Sequence, residues 1–344
     1  DATVIPSEHF DAVTYTGNAS TQSITGVGFQ PDFMWIKKRS PSERHQLIDA
    51  VRGVNSQLQA AEADAETTAT DRVTSFDADG FSLGADAGTK VNAADGDEFV
   101  AWSWKANGAG SANTDGDMAE TVTVSANVDA GFSIIKYTGD GSVATIGHGL
   151  SKAPEMILIK NIDQSADIWR VYHYGNTTAP ATDWLILDSN NATQDHIDEW
   201  NDTLPDANVF TVGTANETNR DDDDFIAYCF HTVDGYSKVG SYVGNGDADG
   251  AFVYTGFRVR WLMVKHTSQA ESWTIWDTAR DTYNPSDKRI FADLTTGETV
   301  NALKIDILSN GFKARHAEAA FNDSGDTFVY LAFAEAPFKY ANAR

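Results

Sequence analysis

The chain has 344 residues, 41% of them hydrophobic, with 9 Trp, 11 Tyr and 18 Phe. This is the composition of a globular protein with apolar material for two or three domains, and not that of a disordered chain. A formal net charge of −25 and an isoelectric point near 4.4 make nucleic acid and anionic membrane surfaces poor partners. No apolar run reaches the ~18 residues of a membrane helix. Because the chain begins at Asp1, we interpret it as processed, trimmed or part of a longer product.

The first third of the chain contains short, strand-like segments separated by turn residues. Phe10-Asp-Ala-Val-Thr-Tyr15 has aromatic ends and a β-branched interior, and Gly17-Asn18 follows it as a turn. Phe33-Met-Trp-Ile-Lys37 is a continuous apolar run, which is typical of a strand buried on both faces. The Ala-rich stretch from Ser56 to Thr67 predicts a short, half-exposed helix, and Asp97-Glu-Phe-Val-Ala-Trp-Ser-Trp104 predicts a closing strand.

The middle third begins with a polar segment and then repeats these features. Residues 107–120 are rich in Gly, Ala, Ser and Asp, a composition that predicts a flexible linker. Strand-like runs follow at Phe132–Tyr137, Met156–Ile159 and Asp223–Phe230. A weak helical pattern covers Thr193 to Asn201.

The last third repeats them again. A Tyr-Val-Gly-Asn turn begins at Tyr242, an apolar run covers Trp261–Val264, and Asp326-Thr-Phe-Val-Tyr-Leu-Ala-Phe333 closes the unit. A third weak helical pattern covers Thr299 to Lys304. No linker precedes this third, since Gly235-Tyr-Ser-Lys-Val-Gly-Ser-Tyr242 leads directly into it.

The same markers therefore occur three times in the same order, which is the signature of an internal repeat. From the opening Tyr to the closing Lys of the first marker there are 22 or 23 residues in every copy; the pairs are Tyr15 and Lys37, Tyr137 and Lys160, and Tyr242 and Lys265. We predict an all-β chain of three tandem β-sandwich-like, jelly-roll-like units with a few short helices. The predicted boundaries are 1–106 for repeat 1, 107–130 for a linker and approach, 131–240 for repeat 2, and 241–344 for repeat 3. We expect repeats 2 and 3 to pack as a rigid pair and repeat 1 to stand apart.

Asp-rich turns are the candidates for metal binding. They occur at Asp77–Gly80, Asp115–Asp117, Asp221–Asp224 and Asp247–Gly250. A calcium loop of the EF-hand type needs an acidic residue at its twelfth position, and the turns beginning at Asp77 and Asp247 have Gly88 and Arg258 there. We interpret the turns as solvated and predict no cofactor and no metal site, while a non-standard Ca²⁺ or Na⁺ site at these turns stays open.

The sequence predicts no enzyme. Asp195, Asp198 and Glu199 could form a carboxylate pair for glycoside hydrolysis, but the spacing across a cleft is not visible in a sequence. The single cysteine, Cys229, lies in a strand-like apolar run and is interpreted as a buried small residue. Metalloprotease, nucleophile-elbow and Walker motifs do not occur.

Aromatic and polar residues cluster in the middle of repeat 2. Sugar recognition stacks ring faces on aromatics and pairs hydroxyls with planar polar groups, so this cluster is the candidate for glycan contact. The alternative is that most of these side chains are core. The predicted contact residues are Trp169, Tyr172, His173, Tyr174 and Trp200.

Several phrases resemble a domain family of uncharacterised function that is common among virion structural proteins of marine and environmental tailed viruses. These phrases include Tyr15-Thr-Gly, Gly28-Phe-Gln-Pro-Asp32, Gly235-Tyr-Ser-Lys238, Phe252-Val-Tyr-Thr-Gly-Phe257 and Leu331-Ala-Phe-Ala-Glu-Ala-Pro-Phe338. The resemblance covers roughly Phe10 to Arg344 and brings no catalytic residues.

The resemblance implies a structural component of a tailed-virus particle, exposed on the virion as a head decoration or a tail fibre or spike. The implied partners are other virion proteins and further copies of the chain, in a symmetric oligomer such as a trimer or pentamer. The alternative is a carbohydrate- or receptor-binding adhesion module that contacts a host surface glycan. The position on the particle stays open.

Overall fold

The computed structural model describes residues 4–40, 42–93, 96–300 and 303–335. These residues form 27 β-strands, three one-turn α-helices and one 3₁₀ turn at Pro6–Glu8. The predicted all-β fold of three β-sandwich-like units is confirmed. Within these ranges, no helix combines the length and the apolar character needed to cross a membrane.

Each unit is defined by its strands. Unit 1 contains β1 (Phe10–Thr16), β2 (Gln22–Thr25), β3 (Phe33–Lys38), β4 (Gln46–Asp49), β5 (Ser56–Gln57), β6 (Thr67–Thr68), β7 (Val73–Asp77), β8 (Gly80–Leu83) and β9 (Glu98–Trp104). Unit 2 contains β10 (Ser111–Asn113), β11 (Val122–Asn127), β12 (Phe132–Thr138), β13 (Ala144–Gly147), β14 (Met156–Asn161), β15 (Arg170–His173), β16 (Asp183–Ile186), β17 (Gln194–Asp195), α1 (Ile197–Trp200), β18 (Val209–Val212), α2 (Asn216–Asn219) and β19 (Asp224–Phe230). Unit 3 contains β20 (Ser237–Val243), β21 (Phe252–Tyr254), β22 (Val259–His266), β23 (Thr274–Asp277), β24 (Ile290–Phe291), β25 (Ile305–Leu308), β26 (Gly311–Ala314), α3 (Ala319–Asn322) and β27 (Thr327–Ala334).

The three units share one topology. In each large sheet the closing strand lies between the opening strand and the strand of the apolar run, giving the orders β1-β9-β3-β4, β12-β19-β14-β15 and β20-β27-β22-β23. A small sheet packs on one face of each large sheet; its core pair is β2-β8, β13-β18 or β21-β26. All neighbouring strands are antiparallel.

The repeated Tyr-x-Gly turn is held in the same way in every unit. The Tyr hydroxyl donates to a backbone carbonyl immediately before a buried Asn, and that Asn side chain bonds the turn itself; the pairs are Tyr15 and Asn92, Tyr137 and Asn219, and Tyr242 and Asn322. A Cβ on the Gly of each turn would overlap a backbone carbonyl oxygen, so the turn requires glycine at positions 17, 139 and 244. The marker seen in the sequence is therefore a structural device of the fold.

Each large sheet is buried on both faces, as the continuous apolar runs predicted. One face packs against the unit's own small sheet, while the other meets the large sheets of the other two units in a common central core. Successive residues of a strand point to opposite faces of the sheet and so belong to different cores. Trp35, for example, lies in the central core, and Ile36 lies in the core of unit 1. The central core joins aromatic side chains of all three units, and Trp261 contacts both Trp102 and Trp104.

The contacts between units close a ring. The Lys that ends each first marker is fully buried and donates to a backbone carbonyl of the adjacent unit. These bonds run from unit 1 to unit 3, from unit 2 to unit 1 and from unit 3 to unit 2: Lys37 to Thr295 (2.9 Å), Lys160 to Ala63 (3.3 Å) and Lys265 to Asn190 (3.3 Å). A ring nitrogen eight or nine positions further along each unit bonds a carbonyl of the same neighbour: His45 and Phe291 (2.9 Å), Trp169 and Gln59 (2.9 Å), and Trp273 and Ile186 (2.6 Å).

Two buried ion pairs reinforce this ring. Asp277 and Arg280 form a fully buried pair in unit 3, and the indole N–H of Trp102 in unit 1 donates to Asp277 at 3.0 Å. Unit 1 has the corresponding ion pair, Asp49 and Arg52, and the hydroxyl of Tyr228 in unit 2 donates to Asp49 at 2.8 Å. Because the three units interlock in this cyclic way, the chain is a closed three-unit body and not a row of separate domains.

The sequence predictions fail where they concern connections. Residues 107–120 are not a flexible linker, because β10 joins the large sheet of unit 2 through β11 and the backbone N–H of Asn107 donates to the Ser125 hydroxyl. Unit 1 does not stand apart, and units 2 and 3 are no more a pair than any other two. The boundary at 241 falls inside β20, so unit 3 begins earlier.

The helix predictions also differ from the structure. Residues 56–67 contain β5 and an extended segment with no helix, since their side chains pack between units and do not form one apolar stripe. The pattern over 193–201 yields only the single turn α1. The pattern over 299–304 includes residues 301 and 302, which lie outside the described residues, and the described part of it is not helical.

Candidate functional site

The symmetry of the three units is broken in unit 2. In units 1 and 3 a third strand completes the small sheet, β7 beside β8 and β25 beside β26. Unit 2 has the turn α1 beside β18 instead, attached by backbone bonds from Gly213 to Glu199 and from Ala215 to Asp198, both 2.9 Å. Its large sheet also continues beyond β16 to β17, whereas the large sheet of unit 3 ends at β24. These changes leave a depression between β17, α1 and the start of α2.

This depression, the unit 2 groove, has a volume of about 490 Å³, within the range of small-molecule sites. Its wall contains one tryptophan ring and otherwise mostly polar and acidic side chains. The groove is lined by Trp184, Gln194, Asp195, His196, Asp198, Glu199, Thr214, Ala215, Asn216 and Glu217.

Arg170 lies beneath the groove and organises it. This buried arginine is on β15, where units 1 and 3 have Gln46 and Thr274 at the equivalent position. Its Nε donates to Glu199 Oε1 at 2.6 Å and its Nη2 lies 3.0 Å from Glu217 Oε1. The guanidinium carbon lies 3.9 Å from the centre of the Trp184 ring, a close cation–π contact. Trp184, Glu199 and Glu217 are thus held by one cation.

Three buried polar atoms at this place have no hydrogen-bond partner among the described residues: Arg170 Nη1, Trp184 Nε1 and Glu199 Oε2. Buried polar groups in proteins are nearly always paired, because leaving one unpaired costs roughly 1–3 kcal/mol. Burial raises the pKa of Glu199, and the neighbouring Arg170 opposes this effect. The groove therefore combines a fixed aromatic ring with unused hydrogen-bonding capacity.

Four of the five side chains predicted for glycan contact are buried. Trp169 lies in the central core, Tyr172 and Trp200 pack edge to face in the core of unit 2, and His173 is fully buried at the boundary with unit 3. Their rings are covered by protein, so a ligand at the surface cannot stack on them. Tyr174 is 42% exposed, but its ring stacks on His173 and it does not line the groove.

The three carboxylates considered as a hydrolytic pair, Asp195, Asp198 and Glu199, do come together, since all three line the groove. Glu199 is bound to Arg170, and Asp198 lies 3.3 Å from His196. Sequence reasoning did not select Trp184, Arg170 or Glu217 as site residues. Arg170 would have been found as a cation at a strand position where the other repeats have the uncharged Gln46 and Thr274.

One cluster has the composition of a metal site. His266, Asp323 and Asp326 bring one ligand atom each within 4.8 Å of one another. However, Nδ1 of His266 accepts backbone N–H groups from Ser268 and Gln269, so the ring proton is on Nε2, the nitrogen that faces Asp326 at 3.3 Å. The amide of Gln269 also donates to both carboxylates. This donor set does not fit a cation, because a proton and an amide already occupy the positions that a metal would need.

The Asp-rich turns bind their own chain. Asp79 accepts from the backbone of Gly26 and Gly28, the first of them at 3.2 Å and the second at 2.7 Å. Asp117 accepts from Thr145 at 2.6 Å. These carboxylates cap turns of the fold. Cys229 is buried in β19, as predicted, and burial raises the pKa of its thiol.

The comparison with curated proteins gave no match. One family model matches residues 5–337, and its description reads "Domain of unknown function (DUF7483)". Because the match covers nearly the whole chain, including all three units and the groove, the chain belongs to the DUF7483 family.

Proposed function

We propose that the protein is a non-catalytic structural component of a tailed-virus particle, exposed on the virion as a head decoration or as part of a tail fibre or spike. The observation that carries the proposal is the closed ring of three sandwich units around one central core. It adds to the sequence resemblance described above, which is the source of the virion assignment.

The physical properties of the chain suit such a role. A body whose large sheets are buried on both faces resists local opening, because each sheet is covered by protein on either side. The net charge of −25 favours solubility and disfavours unspecific association. Self-association into a symmetric oligomer, such as a trimer or pentamer, and contacts with other virion proteins belong to the same proposal.

Mass spectrometry of gradient-purified particles, followed by a cryo-electron microscopy map, tests this proposal. We expect the chain in stoichiometric amounts in intact particles, at a surface position with defined symmetry. The control is the same measurement on infected-cell lysate cleared of particles. Presence only in the cleared lysate would contradict a virion role.

The second candidate is a carbohydrate- or receptor-binding adhesion module, which can coexist with the first on a fibre. It is favoured by the unit 2 groove, where an aromatic ring and unpaired polar atoms meet. A glycan array probed with the full chain tests it. A turnover assay on the polysaccharides of the array separates binding from hydrolysis, and we expect binding without release of reducing ends.

A further inference from the structure

We infer that the unit 2 groove binds a neutral saccharide through two adjacent hydroxyl groups, with the sugar ring against Trp184. This inference rests on the adhesion role proposed above and names the ligand class and the residues that take it. It is carried by the three unpaired atoms, by the charge of the groove and by the placement of Trp184.

The unpaired atoms define the chemistry of the ligand. Arg170 Nη1 and Trp184 Nε1 are donors that need an acceptor, and Glu199 Oε2 is an acceptor that needs a donor. A hydroxyl group is both donor and acceptor, so two neighbouring hydroxyls can satisfy all three atoms at once. An ammonium group can satisfy only Glu199, and an anionic group can satisfy only Arg170 and Trp184.

The charge of the groove argues against anionic sugars. Four carboxylates line it, those of Asp195, Asp198, Glu199 and Glu217, and Arg170 beneath it is already paired with two of them. An additional carboxylate or sulfate would be placed among these negative charges at close range, which is unfavourable. A neutral saccharide avoids this cost and keeps the hydrogen bonds.

Trp184 is placed to contact the sugar ring, and its fluorescence can report sugar binding. Eight of the nine tryptophans are fully buried, and Trp184 is the ninth, half-buried in the wall of the groove. Arg170 packs against its ring and holds it in place. Because the three unpaired atoms are closed off from bulk water, binding requires a local adjustment of this wall, which changes the environment of the indole.

Titration of the full chain with free sugars, followed by tryptophan emission and by calorimetry, tests the inference. The probes are the methyl glycosides of glucose, galactose, mannose and N-acetylglucosamine, with glucuronic acid and N-acetylneuraminic acid as anionic probes. We expect saturable binding of at least one neutral glycoside, tenfold or more weaker binding of the anionic sugars, and loss of binding when one of the two adjacent hydroxyls is removed.

Two variants assign the site. Glu199→Gln replaces an acceptor oxygen and is expected to weaken binding tenfold or more, as for a hydrogen bond to a charged group. Since this change also weakens the pair with Arg170, Trp184→Phe is the second variant; it keeps an aromatic ring and removes the pyrrole part of the indole with its N–H, and should weaken binding severalfold by calorimetry. Glu120→Gln, an exposed acid outside the groove, is the matched control and should bind as the parent does.

The results separate this inference from the proposed adhesion role. If the parent binds glycans but Glu199→Gln and Trp184→Phe bind equally well, the inference is overturned and the adhesion role stands. If no neutral glycoside binds while the anionic sugars do, the ligand class is wrong. If neither the titration nor the array shows binding, both fail, and the virion role is still decided by the particle analysis.

Discussion

The three buried lysines of the inter-unit ring give the protein an unusual pH dependence of stability. Burial lowers the pKa of Lys37 to about 7 and those of Lys160 and Lys265 to about 8, against an ordinary value of 10.5. Between these values and 10.5 the unfolded chain binds more protons than the folded chain. The free energy of unfolding therefore rises with pH across this window.

The magnitude follows from the number of protons involved. Each lysine that is neutral when folded and charged when unfolded contributes a slope of about 1.4 kcal/mol per pH unit. Near pH 9 all three are in this condition, so we expect a combined slope of about 4 kcal/mol per pH unit. Below about pH 6 the slope from these groups vanishes, because both states are protonated. Above pH 10 it reverses, because unfolded tyrosines ionise while the buried Tyr137 and Tyr242, whose pKa values are raised, stay neutral.

Urea unfolding followed by far-UV circular dichroism at constant ionic strength, from pH 6 to pH 10, measures this slope. The Lys265→Met variant should lose about a third of it, whatever its absolute stability, because one of three titrating groups is gone. Lys152→Met, at an exposed lysine, should keep the parent slope. A stability that is constant or falls between pH 7 and pH 9.5 would show that the buried lysines stay charged and would refute the reasoning.

Three further predictions concern single contacts. Gly244→Ala should cost at least about 2 kcal/mol, because its Cβ would overlap a backbone carbonyl oxygen, whereas Gly88→Ala meets only ordinary van der Waals contacts and should be nearly neutral in the same urea titration. Tyr228→Phe removes the hydroxyl by which unit 2 bonds the buried ion pair of unit 1, and should lower the free energy of unfolding by about 1–3 kcal/mol. The control Tyr254→Phe, at an exposed tyrosine, should leave it almost unchanged. Equal losses in the two variants would contradict the role of these contacts between units. Acrylamide quenching of the folded chain should arise almost entirely from Trp184, so quenching that persists in Trp184→Phe would mean that a second tryptophan is accessible.

The repeat could be predicted because the same residue types return at nearly the same spacing in each unit. Tyr15 and Gly17 fit contacts with Val91 and Ala93, far along the chain, and the Tyr and Gly of units 2 and 3 make the corresponding contacts. The apolar run from Phe33 forms the strand β3. Burial of this run on both faces also followed from its composition. The sequence did not predict which part of the protein covers the second face of the sheet. An apolar face indicates that it is buried, but it does not indicate which partner buries it.

The errors have the same physical origin. Residues 107–120 were interpreted as a linker because Gly, Ser and Asp have low strand preference, yet β10 forms by pairing with β11, which in turn pairs with β12 of the large sheet. Trp169 and Trp200 were candidates for glycan contact, with burial in the core as the alternative, and the structure shows that both are buried. In the folded chain their ring N–H groups donate to backbone carbonyls inside the protein. A tryptophan whose N–H is paired in this way can be fully buried even though its neighbours in the sequence are polar.

The sequence by itself determined the all-β class, the threefold repeat with most of its strands and turns, and the net negative charge, since each can be seen in the type and spacing of residues along the chain. Only the tertiary structure decided that the units close into a ring around one core, that residues 107–130 join a sheet, and that a groove forms over Arg170. These features depend on side chains from separate segments, such as Arg170, Trp184 and Glu217, whose proximity is set by the packing of whole sheets. Packing of this kind follows from long-range burial, which local preference does not encode.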